Sequence, residues 1–535
     1  MKVFMTFGAK TVLVERAGRA PVRPVVGVYA DDRMQALFVL LLFLTTFTFT
    51  PIGEARAQQV IDLTLETAVD LAMENSYRVK QLQIGIEQTR KYLEAERAGL
   101  KSRVYMELLT PQIAALSDQK WNADLHRNET IRENTRMWQM DFSIRQPVIL
   151  FGYPTNGYLS LNNQMYRYDQ LNGGRVTNYY NRYFIRFEQP LFQPNHLKNN
   201  LKGAELRLNE AELNFQEDVV NLMDSIADDY YDLFEHAYRQ VIQRTLVDQL
   251  SEAEQVARRI VERDSTREIE LSQVQVELTN AREQLKQSES NFRLEASRIK
   301  QRLRLNERDS LIVRPVLEVV PIEVDVDQAI EYGKNLHPRL QKLEITRDRE
   351  QIDLENTKGW GGFRANLELT YGREMEEPRM ADLWDEPVNS YSVALRAHVP
   401  IWDWGQRKAR IQAEMLSLER VELNWQQAEQ EIESEIINAV KNLEEYESRA
   451  LAMRVNLRLA EQISEQSLDR YEGGIVSVLD LLQSFRRQAD TAENFLDAYL
   501  GYRQAILRIQ QLTYFDFENN QPLLNRFNGW NYMPQ

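Results

Sequence analysis

The 535-residue sequence contains no cysteine. That excludes a disulfide framework, a thiolate metal site, a cysteine nucleophile and a cysteine-anchored lipoprotein. Histidine is almost as scarce. The five residues His126, His196, His236, His337 and His398 show no i,i+4 pairing, so no metal site is expected. Glycine and proline number only 21 and 16. No Gly-rich phosphate loop or nucleophile elbow is present, and neither an enzyme activity nor a cofactor is expected. A basic excess is missing too: 80 acidic against 65 basic side chains give a net charge of -15. Nucleic-acid binding needs a basic face and is not expected.

Long apolar runs are also lacking. A helical membrane span needs ~20 apolar residues, and the nearest approach, ALFVLLLFLTTFTFTPI at 36–52, is short of that. It is followed by GEARAQQ, with small residues at Ala55 and Ala57. This is the pattern of a secretory signal with cleavage after Ala57; an uncleaved anchor helix is the alternative. The 33 residues ahead of Met34 are long for a charged leader, and a true start at Met34 rather than Met1 accounts for them. An exported chain without a spanning helix can enter a membrane only as strands of a closed barrel.

What is abundant is Glu, Gln, Leu, Arg and Ala, with 27% charged residues and a mean hydropathy of -0.51. This is the composition of long helices. The sequence also repeats itself. At a shift of 261, LETAVDLAMENSYRV from Leu65 falls on VDQAIEYGKNLHPRL from Val326, with Ala68 on Ala329, Arg78 on Arg339 and Leu93 on Leu354. At a shift of 210, RLNEAELNFQ from Arg207 falls on SLERVELNWQ from Ser417, and Gln189-Pro190-Leu191-Phe192 falls on Val399-Pro400-Ile401-Trp402. The two shifts differ by 51 residues, an insert in the first copy at about 110–188. So long a period describes one large unit duplicated once, not a solenoid. The expected organisation is a leader at 1–57, a first repeat at 58–314, a second at 315–515 and a tail at 516–535.

Each copy reads as an amphipathic helix (64–99 and 325–359), a strand, a polar loop, a second strand and a long helical hairpin. Ala365, Leu367 and Leu369 alternate with polar neighbours, as do Tyr391, Val393, Leu395 and Ala397. The strands are 9–11 residues with aromatic ends, suited to a tilted bilayer crossing. The long helix of copy two carries an apolar stripe from Leu418 through Val421, Trp425, Ala428, Ile432, Ile436 and Ala439 to Ala460, with steps of three and four, a coiled-coil seam. From 405 to 470 it would reach ~100 Å; copy one does the same at 197–262. Gly473 and Gly474 mark the turn into the return helix. Copy one has Asp264 in place of Gly474, a swap expected to work because Asp can visit the left-handed region. Four strands are too few to close a barrel, so copies of the chain must share one, or the strands form a soluble head on a coiled-coil rod.

The opening LTLETAVDLAMENSYRV, its second copy VDQAIEYGKNLHPRL, the corner SVALRAHVPIWDWGQRKARI and the return helix SLDRYEGGIVSVLDLLQSFRRQADTAENFLDAYLGYRQAILRIQQLTY together resemble the TolC-like outer-membrane efflux proteins. The resemblance covers about residues 60–515, and it rests on order, spacing and duplication rather than on one motif. It implies a mainly α fold with a small β part: a homotrimer in which four strands per chain form a 12-stranded transmembrane β-barrel and the hairpins form a hollow periplasmic α-barrel. It implies a passive duct in the outer membrane, fed by an inner-membrane pump of RND or ABC type through a periplasmic adaptor. Pro400, Gly405 and Pro190 fall at the strand-to-helix corners, and Gly473, Gly474 and Asp264 at the hairpin turns.

The resemblance places the entrance at those turns. Asp480 occupies the position of a constriction-lining acid and Glu270 matches it 210 residues earlier. Three chains would bring six carboxylates together, raising one another's pKa and attracting cations. The alternative is that both are first-turn acids stabilised by the helix dipole. Tyr471 matches a tyrosine that bonds the neighbouring hairpin's acid, making Tyr471–Glu270 a candidate latch; the alternative is a core tyrosine. Val476 stands where a basic latch residue can occur and Gln483 where a second acid can occur, so fewer charged links are expected. The insert reads either as an extra hairpin over the mouth or as the source of the membrane strand itself.

Overall fold

The computed structural model describes residues 60–527 apart from 123, 125 and 172–175. The expected signal segment, its cleavage after Ala57 and the alternative start at Met34 lie outside the described residues. The fold is mainly helical with one large sheet. Two helices open each half: α1 (Leu65–Asn75) and α2 (Tyr77–Gly99) in the first, α5 (Val326–Leu336) and α6 (Pro338–Trp360) in the second. The long helices follow the strands: α3 (His196–Arg263) and α4 (Glu268–Leu303), then α7 (Gln406–Glu472) and α8 (Val478–Thr513). Matching members have nearly equal lengths, 68 and 67 residues for α3 and α7, and 36 each for α4 and α8.

The single opening helix expected in each half is two helices. Pro338 drives the residue before it out of the helical region, and His337 sits at φ -69, ψ 119. His337 then caps α6, its Nδ1 accepting from the Arg339 amide at 3.2 Å. In the first half Ser76 breaks the chain without a proline, its Oγ accepting from the Arg78 amide at 3.1 Å.

Six strands form one antiparallel sheet in the order β2 (Arg103–Asn122), β3 (Arg127–Leu150), β4 (Tyr153–Gln170), β5 (Val176–Leu191), β7 (Arg364–Glu377), β8 (Val388–His398). This corrects the expectation of four strands per chain. The insert is mostly strand: MWQMDFSIRQPVIL closes β3 and NGYLSLNNQMYRYDQ closes β4. The first half therefore contributes four strands and the second half two. Small strands β1 (Val60–Asp62) and β6 (Ser310–Ile312) pair in parallel and tie the start of the described chain to the end of α4. β9 (Phe515–Asp516) pairs with β10 (Gln521–Pro522) after α8.

The main core lies where the opening helices meet the long ones. Ile432, Ile436, Ala439 and Leu443 of α7 bury against Leu496, Tyr502 and Ile509 of α8, alongside Phe215, Ile226 and Leu233 of α3. The predicted α7 seam is the face that is covered, apart from Tyr446, which is 38% exposed. A second, separate cluster closes the far ends of the hairpins.

Candidate functional site: the hairpin tips and the two faces of the sheet

At the tips, the first-half turn is built differently from the expectation. Asp264 is at φ -142, ψ 93, extended rather than left-handed. Its Oδ1 accepts from the Thr266 amide at 3.1 Å and from the Thr266 hydroxyl at 2.6 Å, and a short helical turn, Ser265–Arg267, completes the reversal. A side-chain cap on the loop removes the need for a positive φ. In the second half Gly474 does adopt φ 72, the conformation glycine tolerates, while Gly473 is helical at φ -74.

Glu270 and Asp480 both sit three residues into the return helix from the capping position, and each is held from that position. Ser477 and Asp480 form a reciprocal capping box: the Ser477 Oγ donates to Asp480 Oδ2 at 2.7 Å and accepts from the Asp480 amide at 3.2 Å. The Ser477 hydroxyl and amide lower the Asp480 pKa. In the first half Arg267 replaces that serine. It holds Glu270 bidentately, Nε to Oε1 at 2.8 Å and Nη2 to Oε2 at 2.7 Å. Tyr471 Oη donates to the same Oε2 at 2.9 Å. The bond to Arg267, then the one to Tyr471, hold the Glu270 pKa below its usual value, whereas burial and the Glu270 carboxylate push the Tyr471 phenol up. Tyr471 is fully buried among Val274, Leu278, Val478 and Leu481. Val476 joins this apolar cluster. Arg267 was not singled out in the sequence; its signal was its place opposite Ser477 at the 210-residue shift.

The sheet has two unlike faces. Cross-strand partners share a face, so the row Val104, Ile144, Leu161, Ile185, Tyr371, Tyr391 lies on one side of all six strands. Phe187, Leu369 and Val393 extend it. Most of these side chains are exposed, Val393 at 74%. Along β8, Tyr391, Val393, Leu395 and Ala397 alternate outward on the same side. β8 itself, 11 residues long, spans ~36 Å along the strand and about 25 Å after a ~45° tilt, the height of a barrel's apolar band.

The opposite face carries charge. Arg145 pairs with Glu188 at 3.6 Å, Arg186 with Glu368 at 3.4 Å, and Arg182 with Glu374 at 3.4 Å. Aromatics bracket the apolar band. Trp360, Phe192, Trp402 and Trp404 are exposed at the helical end of the sheet. Toward the other end, the Arg167 guanidinium lies 4.9 Å from the Trp138 ring and 5.6 Å from the Tyr179 ring.

The strand-to-helix corners gather the remaining predicted residues. Trp404 and Gly405 take φ 55 and 81. Asp403 accepts from the Gly405 and Arg407 amides at 2.9 and 3.0 Å, and α7 starts there. Pro190 is the next-to-last residue of β5, paired with Asn366; Pro400 follows the end of β8. Among the described residues there is no His, Asp or Glu grouping fit for a metal ion, and no helix is long and apolar enough to cross a membrane.

Residues 341–513 match the family model described as outer membrane efflux protein. No curated protein matches the sequence. Several solved structures share the fold. CusC superposes with a TM-score of 0.60 at 12% identity, over 85% of this chain and 92% of that one. The Campylobacter jejuni CmeC outer membrane channel gives 0.59 at 14%, over 88% and 90%. The Neisseria gonorrhoeae MtrE outer membrane channel, solved in its open state, gives 0.54 at 14%, over 84% and 88%. The second half of the chain thus matches the outer membrane efflux protein family, and the fold is shared with solved outer-membrane channels along nearly the whole described length.

Proposed function

We propose that the protein is the outer-membrane duct of a tripartite efflux or secretion system, a passive homotrimeric channel without bond chemistry of its own. The observation that carries this reading is the six-stranded sheet. One face is an exposed apolar band of bilayer height, the other a network of ion pairs, and β2 and β8 are left as open edges. Open edges are not viable in lipid. β2 and β8 run in opposite directions, so β8 of one copy can pair with β2 of the next in the antiparallel manner already used throughout. A coiled-coil rod with a soluble head gives no reason for such a face.

The long hairpins would then form a periplasmic tube closed at the tips. In this reading Tyr471, Glu270 and Arg267 tie the two hairpins of one chain together at the entrance, and Asp480 lines it. An adaptor and an inner-membrane pump deliver cargo to the opened tips. The test is mass and shape together. The detergent-extracted outer-membrane protein, imaged by electron microscopy, is expected to be a three-chain particle with a long hollow tube below a short barrel. A particle soluble without detergent and lacking a barrel would end the channel reading and leave the rod.

A further inference from the structure

The two halves of the chain differ most in the sheet. The second half passes from α6 to α7 through two strands, the first from α2 to α3 through four. The 51-residue offset between the repeat shifts is the size of one hairpin, and β3 and β4 contribute 24 and 18 residues. An inserted pair preserves the up-and-down alternation, so β2 still leaves the helical end and β5 still returns to it. A single inserted strand would have reversed one of them.

The hairpin is also finished on both faces like the rest of the sheet. Met140, Phe142 and Ile144 of β3 and Leu159 and Leu161 of β4 lie in register within the apolar band. Phe142, Leu159 and Leu161 are exposed at 36%, 46% and 49%. On the polar face Ser143 Oγ donates to Asn162 Oδ1 at 2.6 Å, and Arg145 lies 3.7 Å from the Tyr158 ring centre. The tight turn at Phe151-Gly152, φ 52 and 85, falls at the helical end. A loop folded over the mouth would need neither the continuous apolar face nor full-length pairing to both β2 and β5.

We infer that the β3–β4 hairpin is a barrel-widening insertion: each chain supplies six wall strands, and the ring closed by three copies has 18 rather than 12. Barrel diameter grows roughly linearly with strand number, and 18 strands leave an open aqueous channel. The exit is therefore about 1.5 times as wide as a four-strand chain would make it, and it admits bulkier cargo. This inference rests on the channel reading above.

Strand-resolving electron microscopy of the full chain is expected to show six wall strands per protomer. Four per protomer, with the hairpin outside the ring, overturns the widening and leaves the duct intact; no ring at all overturns both. A second measurement follows assembled oligomer in the outer-membrane fraction. Phe142→Arg with Leu161→Arg is expected to lose assembly as severely as Val393→Arg on β8. Normal assembly of the hairpin variant beside loss for Val393→Arg overturns the widening. Normal assembly of both removes the sheet from the bilayer and the widening with it.

Discussion

Two positions three residues into equivalent helices show how one substitution re-routes a carboxylate. Asp480 is satisfied by its own helix cap, whereas Glu270 is claimed by Arg267 and by Tyr471 from the other hairpin. Removing the Tyr471 hydroxyl leaves the ring packed but removes one of the bonds between the hairpins, beside the Arg259–Glu472 pair, a loss of about 1 kcal/mol. Tyr471→Phe is expected to raise the resting conductance of the channel in planar bilayers, and Glu270→Gln to do so more strongly because Arg267 also loses its anion. Glu270 has a lowered pKa in the folded protein, so its contribution is present above the ordinary carboxylate range and is lost as pH falls through the folded value. Acidification should open the wild-type entrance and leave Glu270→Gln unchanged. Neutralising Glu270 and Asp480 together should reduce cation selectivity; unchanged selectivity would return both to capping roles.

His337 gives a second titration at this scale. Burial pushes its pKa down to about 4, and its Nδ1 must be unprotonated to cap α6. A lowered folded pKa means stability present above the unfolded value of ~6.5 and lost as pH falls towards 4. The apparent melting temperature should drop by roughly a few degrees over that window. Ser76 occupies the matching position in the first half, so His337→Ser is expected to keep the cap and flatten the pH dependence.

At the scale of elements, the crossing of α7 and α8 depends on a residue without a side chain. A Cβ on Gly501 would lie 2.7 Å from two atoms of the Tyr446 ring. In an open helix interior Gly→Ala stabilises by ~1 kcal/mol. Here Gly501→Ala is expected to destabilise, by about 1–3 kcal/mol, seen as a lowered apparent melting temperature, and Tyr446→Ala should rescue it in a double-mutant cycle. The long helices were legible from the α7 seam because a three-four spacing has one structural solution. The break at His337 was written in Pro338, yet the matching break at Ser76 had no such mark. The turn at Asp264 was legible as a turn but not in its geometry, because an aspartate can reverse a chain by capping as well as by a positive φ.

For the whole molecule, the open β2 and β8 edges and the exposed apolar face make the isolated chain an incomplete object. In the proposed shared barrel each open edge is completed by another copy, so sedimentation in detergent should give the mass of three chains, with no stably folded monomer on dilution. A folded monomer in dilute detergent would count against the shared barrel.

Periodicity in the sequence by itself determined the helices, the repeat and the strands at each corner, because local spacing fixes which face of an element is apolar. It also fixed the 51-residue excess of the first copy. Whether that excess was a loop or part of the sheet could be decided only in three dimensions. Alternation along one strand is blurred where Asn163 and Gln146 interrupt the apolar face. Pairing with β2 and β5 places Phe142, Ile144 and Leu161 in line with Val104 and Ile185. A sheet's face is a property of its register across strands, and register is set by partners more than 20 residues away in sequence.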